Sequence, residues 1–191
     1  MRIRRIRSVS GRKKTVIVLQ REDIIRGLRT ISKRTLPLYG RIVRDRNYAT
    51  QLVQAVKALN FSRVETIIRL EVPGAMVGVG AGFDACLDFG NGSSEFCVGI
   101  FRPGEKICTA QIRSVSRIML PLLRKMANNR QFTARVTDLV IKRQSNALLR
   151  LIRTVVNPAL VVSVPIDDFG FACVVKLPSG ARYNFVVTIL Q

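Results

Sequence analysis

Two stretches decide the architecture: Leu28-Arg-Thr-Ile-Ser-Lys-Arg-Thr-Leu-Pro-Leu-Tyr39 and Ile112-Arg-Ser-Val-Ser-Arg-Ile-Met-Leu-Pro-Leu-Leu123. Laid over each other at an offset of 84, five of the twelve positions are identical and four more are Leu/Ile, Thr/Ser, Ile/Val and Lys/Arg exchanges. The offset continues through Arg46/Arg130, Tyr48/Phe132, Leu52/Val136, Val56/Val140, Ile68/Ile152 and Arg69/Arg153. After a slip of four residues it resumes with Gly82-Phe83 over Gly170-Phe171 and Gly92 over Gly180. A match running for some 70 residues with one gap reads as an internal tandem duplication.

Each copy then carries the same succession of patterns. Ile24, Ile25, Leu28 and Ile31 have helical spacing, with Arg26, Arg29 and Lys33 on the other side. Pro37 and Pro121 lack an N–H, which places them at a helix start or in the connection before one. A second helix is expected to run to about Ala58 with Tyr48, Leu52 and Val56 on one face, its counterpart ending near Arg143. Ser62-Arg-Val-Glu65 has the form of a capping box opening a short third helix, and Asn146 offers the cap in the second copy.

Beyond the helices the period changes to two. Phe83, Ala85, Leu87 and Phe89 alternate with Asp84, Cys86 and Asp88; Asn91-Gly92, a strong hairpin signal, then leads into residues 94–101. In the second copy, strands over residues 171–177 and 182–190 flank the loop Pro178-Ser-Gly-Ala181. Residues 14–19 read as an extra strand ahead of the first helix, as residues 98–101 precede the fourth. The expected fold class is α+β with an internal tandem duplication, each copy about three helices followed by a small antiparallel β-meander. The expected division is a basic N-terminal arm (residues 1–14), copy 1 (15–103) and copy 2 (104–191), the copies either standing apart or packed as one globular unit. This element order resembles that of a winged-helix domain, although an acidic first hairpin is ill suited to a wing lying on DNA.

Register about Asn91-Gly92 sets Asp88 opposite Glu95 and Cys86 opposite Cys97. Carried over to the second hairpin, the alignment makes the matching face apolar, with Ala172, Val174, Tyr183, Phe185, Val187 and Ile189. The second sheet is therefore expected to be covered on both faces. Cys86 and Cys97 are expected as free thiols, or as a cross-strand disulfide in an oxidising compartment, their hydrogen-bonded pairing giving only fair geometry. Cys173 falls on the core side of its strand.

Charge supplies the strongest functional signal. The 191 residues hold 32 Lys plus Arg against 12 Asp plus Glu, a formal +20, and 24 of the cations are Arg, whose rigid fork suits phosphate. Residues 1–70 carry +14, 71–105 carry −4, 106–158 carry +10, and 159–191 are neutral. Positive charge recurs at equivalent places in Arg29/Arg113, Lys33/Arg117, Arg46/Arg130 and Arg69/Arg153, with the first two pairs sharing one helix face. The arm adds Arg2, Arg4, Arg5 and Arg7 and contains no acid. Such a set suits a phosphate backbone, a groove or another polyanion.

Other chemistries find little support. Zero histidines remove the commonest general base and metal ligand, and no nucleophile has an identifiable base. The four cysteines show no C-x-x-C spacing, so no zinc site is expected. Asp84, Asp88 and Glu95 share a strand face, more in keeping with a solvated or docking surface than with a cation site. The run from Gly74 to Gly82 lacks the G-x-x-x-x-G-K-[ST] order and leads into a strand, pointing to a bulge or close backbone packing.

A 48% hydrophobic composition is enough for a core, while the strongest apolar run, near residues 155–164, is broken by Pro158 and Pro165 and is too short to span a membrane. The basic start is followed only by the short apolar stretch 15–19, unlike a signal peptide. The expectation is a non-enzymatic nucleic-acid-binding or packaging protein that needs no cofactor or metal and acts on DNA or RNA. It would work inside the cell (cytoplasm, nucleoid or nucleus) or within an assembled particle. The rival is a self-assembling structural subunit of a filament, coat or shell, a homo-oligomer or polymer using edge strands and acid/base complementarity.

Overall fold

A computed structural model describes residues 19–88 and 95–190. Among them are helices α1 (Arg21–Arg44), α2 (Arg46–Lys57) and α3 (Phe61–Arg69), then strands β1 (Met76–Val79), β2 (Gly82–Asp88) and β3 (Glu95–Phe101). Helices α4 (Thr109–Asn128), α5 (Arg130–Ile141) and α6 (Ser145–Arg153) follow, then β4 (Val161–Ser163), β5 (Ile166–Asp167), β6 (Gly170–Lys176) and β7 (Arg182–Leu190). The protein is thus of the α+β class, six helices on an antiparallel seven-stranded sheet. The expected strand over residues 14–19 lies outside the described residues except for Leu19, which packs against the core.

Helix positions in the two halves agree closely. The bounds of α2 and α5, and of α3 and α6, differ by 84, as do the ends of α1 and α4. Leu59 (φ 51°) and Arg143 (φ 53°), also 84 apart, both take the left-handed conformation that ends a helix. Asp45 and Asn129 cap α2 and α5 in the same way, accepting from Tyr48 N at 2.9 Å and Phe132 N at 2.8 Å.

The helix breaks fall at these caps and not at the prolines. Pro37 and Pro121 lie inside α1 and α4, contrary to the expectation that they precede a helix. Each ring is exposed on a helix whose flanking residues are buried: Leu38, Tyr39 and Ile42 in α1, Leu120, Leu122 and Leu123 in α4. Burial of those apolar side chains outweighs the backbone hydrogen bond each proline forgoes. The third helices also start differently from expectation. Asn60, not Ser62, caps α3 by accepting from Arg63 N, and Asn146 lies within α6 without capping it.

The sheet runs β1-β2-β3-β7-β6-β4, with β5 pairing β6. The first hairpin has the expected register, Cys86 opposite Cys97 and Asp88 opposite Glu95. In the second, Lys176 pairs with Arg182 and Phe171 with Val187, which shifts the register by one relative to the sequence alignment. A one-residue shift exchanges the faces of a strand. Tyr183, Phe185, Val187 and Ile189 therefore share the helix-side face with Val175, Cys173 and Phe171, while Asn184, Val186 and Thr188 lie on the outer face with Ala172 and Val174. The expectation of a wholly apolar outer face is thereby corrected. Its cause is the second loop, which leaves five residues between paired positions where the first leaves six.

Strand β7 is interior, paired with β3 on one side and β6 on the other. Both of its edges are therefore taken, and among the described residues β1 and β4 end the sheet. A single sheet through both halves also differs from two separate winged-helix units. The β3–β7 register maps onto itself at the strand offset: 88 residues on from Val98 is Val186, 88 back from Val187 is Gly99, and Val98↔Val187 and Gly99↔Val186 are both pairs.

Helices α1 and α4 lie antiparallel over the helix-side face. Arg113, near the start of α4, donates to Val43 O near the end of α1 at 2.8 Å. Near the start of α1, Arg21 Nε reaches Asp138 Oδ1 in α5 at 2.6 Å and Arg130 Nη2 reaches Glu22 Oε2 at 2.6 Å. Tyr39, fully buried, donates to Val98 O and packs its ring 5.5 Å from that of Phe185, tying α1 to both central strands. Helix α3 covers β1 and α6 covers β4.

Helix α1 packs tightly on the sheet at Gly27, where an added Cβ would stand 2.2–2.5 Å from ring carbons of Phe96. Gly27→Ala should lower stability by about 1–3 kcal/mol through overpacking. Gly80→Ala, where a Cβ meets nothing within 4 Å, should leave the urea midpoint nearly unchanged.

Candidate nucleic-acid interface

The sequence-predicted cations separate into two kinds. Lys33, Arg46 and Arg117 are exposed on helices, and among the described residues none of them forms an ion pair. Arg69, Arg113, Arg130 and Arg153 have acceptors within the protein. Arg69 binds Glu65 at 2.8 Å and donates to Ala75 O, Arg113 holds Val43 O, and Arg130 holds Glu22. Arg153 gives Nε and Nη2 to Val161 O at 3.0 and 2.7 Å, fastening α6 to β4. Arg29 is half-buried, and its Nε has no hydrogen-bond partner. Arg2, Arg4, Arg5 and Arg7 lie outside the described residues.

Acidic side chains are largely engaged at the rim of this helical surface. Glu22, Asp23, Asp45, Glu65, Glu71 and Asp138 each pair with an arginine, mostly in exposed positions where a pair contributes little stability. Their effect is on the field: they cancel selected cations and leave others uncompensated. The Asp45 carboxyl is held below the ordinary carboxylate range, chiefly by the hydrogen bond from Tyr48 N.

A cleft between the α4 end, α5 and α6 went unnoticed in the sequence. Its volume is about 650 Å³, and its walls include Lys125, Arg135 and Arg150 together with Asn129, Gln131 and Thr154. Phe132 and Leu151, both nearly buried, also line it. The one carboxylate on its wall, Asp138, is occupied by Arg21 Nε at 2.6 Å and Nη2 at 2.9 Å. A neighbouring hollow of about 550 Å³ shares Lys125 and Asn129 and adds Arg124 and Asn128. The sequence signal that would have found this cleft is the set of acids absent at positions offset by 84 from Asp45 and Glu71.

Elsewhere, the structure assigns other uses to suspect residues. Cys86 and Cys97 are joined by a disulfide, with Cα atoms 4.0 Å apart, closer than the wide pairing expected of them. Although these sulfurs and a Glu95 oxygen lie within 4.8 Å of one another, sulfurs bonded to each other are not thiolate ligands. Asp84, on the outer sheet face, accepts from Gly78 N at 2.6 Å, and burial raises its pKa. The glycine-rich run contains β1, an edge strand, with no helix for its backbone to open. Comparison with protein-family models, curated proteins and solved structures finds no match for this chain.

The cysteine arrangement gives a direct check. Cys108 is partly exposed, whereas Cys173 is buried and its thiol pKa is pushed up by that burial. Thiol titration should find Cys108 reactive in the native protein, Cys173 in addition after unfolding, and Cys86 and Cys97 only after reduction.

Proposed function

We propose that the chain is a tandem duplication packed as one unit, and that it is a non-enzymatic, sequence-tolerant nucleic-acid-binding or packaging protein. The observation that carries the reading is the distribution of uncompensated charge. On a protein of +20, the acids of the helical layer are taken up by particular arginines, while Lys33, Arg46 and Arg117 remain exposed without ion pairs among the described residues. Uncompensated cations on rigid helices neutralise phosphates and release condensed counterions. Arg29 and the arm cations Arg2, Arg4, Arg5 and Arg7, the last four outside the described residues, contribute further positive charge in this reading; Arg69, Arg113, Arg130 and Arg153 divide their donors between the fold and the ligand.

A second reading, a self-assembling subunit of a coat, shell or filament, is favoured by the open edges at β1 and β4. The two coexist in a protein that coats a genome. Among the described residues no helix is long and apolar enough to cross a membrane. The proposed setting is the cell interior or an assembled particle, and the Cys86–Cys97 disulfide favours the particle.

Binding should be strongly salt-dependent. Neutralising about six phosphates gives a slope of log K against log salt near −5 on duplex DNA. Replacing Lys33, Arg46 and Arg117 by Gln should flatten that slope by about 2–3. Micromolar protein that shifts neither DNA nor RNA at low salt removes the proposal.

A further inference from the structure

We infer that the α4–α5–α6 cleft is a seat for the phosphodiester backbone of a single nucleic-acid strand, with Lys125, Arg135 and Arg150 as its phosphate-binding cations. This deepens the nucleic-acid reading and rests on it.

The argument comes from comparing the two halves of one chain. In the first half, Arg41 Nη1 donates to Glu71 Oε1 at 2.6 Å, lies 3.7 Å from Asp45 and stacks over Tyr48 at 4.7 Å. Arg63 Nη2 reaches across from α3 to Gln51 Oε1 of α2 at 3.3 Å. The cation there is neutralised, and the two helices are bridged. Eighty-four residues on, each of those partners is different. Lys125 stands for Arg41, but Asn129 replaces Asp45 and Val155 replaces Glu71, so both acids are gone. Ala147 replaces Arg63 and Arg135 replaces Gln51, so the bridge between helices is gone and a cation stands on the α5 wall. Arg150, in place of Thr66, adds another on α6.

The result is a cleft walled by three cations, none of which forms an ion pair among the described residues, with its single carboxylate already bound to Arg21. Like charges gathered without a counter-ion are unfavourable to the folded state alone, and an anion removes the cost. Helix α5 begins at this cleft, with Gln131 and Phe132 of its first turn on the wall, while α4 and α6 end beside it, so the positive field there comes from the three side-chain cations and not from the helix termini. The amides of Asn129 and Gln131 supply neutral donors for phosphate oxygens, while the Thr154 hydroxyl on the same wall already donates to Leu151 O at 2.7 Å. A cleft of about 650 Å³ lies in the size range of small-ligand sites, which is room enough for a phosphate with its sugar.

The test uses the full chain and a short fluorescent oligothymidylate, followed by polarisation across a salt series. Lys125→Gln/Arg135→Gln/Arg150→Gln should reduce the magnitude of the log–log slope by about 2, three contacts at about 0.7 each for a single strand. Lys57→Gln/Lys176→Gln/Arg182→Gln, an equal loss of exposed charge outside the cleft, should leave the slope within error of the parent. Asn129→Asp restores one missing acid while keeping an equally good helix cap, and should lower the slope's magnitude by about 0.7 in a protein of undiminished stability. Lys125→Arg/Arg135→Lys/Arg150→Lys should retain the parent slope, which separates loss of charge from loss of structure. If the parent binds but the cleft and control triples change the slope equally, the cleft inference falls and the nucleic-acid reading stands. If the parent binds duplex DNA or RNA but no oligothymidylate, the cleft inference falls alone; if it binds none of them at low salt, both fall.

Discussion

Backbone hydrogen bonding between β3 and β7 leaves neither strand with an open edge, and almost every other contact between the halves is positioned by it. Seven residues of each strand pair, from Glu95↔Leu190 to Phe101↔Asn184, which brings Phe96, Val98 and Ile100 beside Ile189, Val187 and Phe185 in one continuous apolar surface. A surface of that width needs cover from both halves, and the antiparallel α1–α4 pair supplies it. The self-consistent register at the seam is the geometry of an isologous contact, here formed between two segments of one chain. It follows that the halves share a core and that the edge strands lie far apart, at β1 and β4.

What the sequence made legible was local periodicity. Apolar spacing marked the first two helices, a capping pattern pointed to the third, and the offset of 84 carried all three to the second half; alternation marked the first hairpin and the Asn91-Gly92 turn its register. The errors came where a local rule met a tertiary one. By the local rule Pro37 and Pro121 break a helix, because each lacks an N–H, but α1 and α4 bury apolar residues on both sides of the ring. The second hairpin took its faces from alignment with the first, and a loop one residue shorter reversed them. Strands β1 and β4 were too short and too rich in neighbouring Gly and Pro to show a period, and they are strands by virtue of what they pair with.

The candidate surface was legible only in part, for a related reason. Net charge and its blocks can be counted, but whether a given arginine faces solvent or a carbonyl oxygen depends on the fold. Arg153 and Arg113 look like phosphate ligands in the sequence, while in the structure their guanidinium groups hold Val161 O and Val43 O. Conversely, Lys125, Arg135 and Arg150 drew no notice, because what distinguishes them is missing partners. Asn129 and Val155 carry that information by not being acids. Differences between the halves thus decide which cations stay unpaired, while their similarities mainly specify packing.

The central place of β7 also sets a timetable. Val98 must wait for Val187, a partner made 89 residues later in the chain, before the seam can close. Until then, a growing polypeptide that has already completed α1 through β3 carries an unsatisfied strand edge at β3 and a Tyr39 ring without its Phe185 neighbour. Pairings of such sequence separation are slow to form and are open to capture by another chain in the interval. The open edge of β3 is therefore the point on an incomplete chain at which a strand from a neighbouring molecule could pair in place of β7.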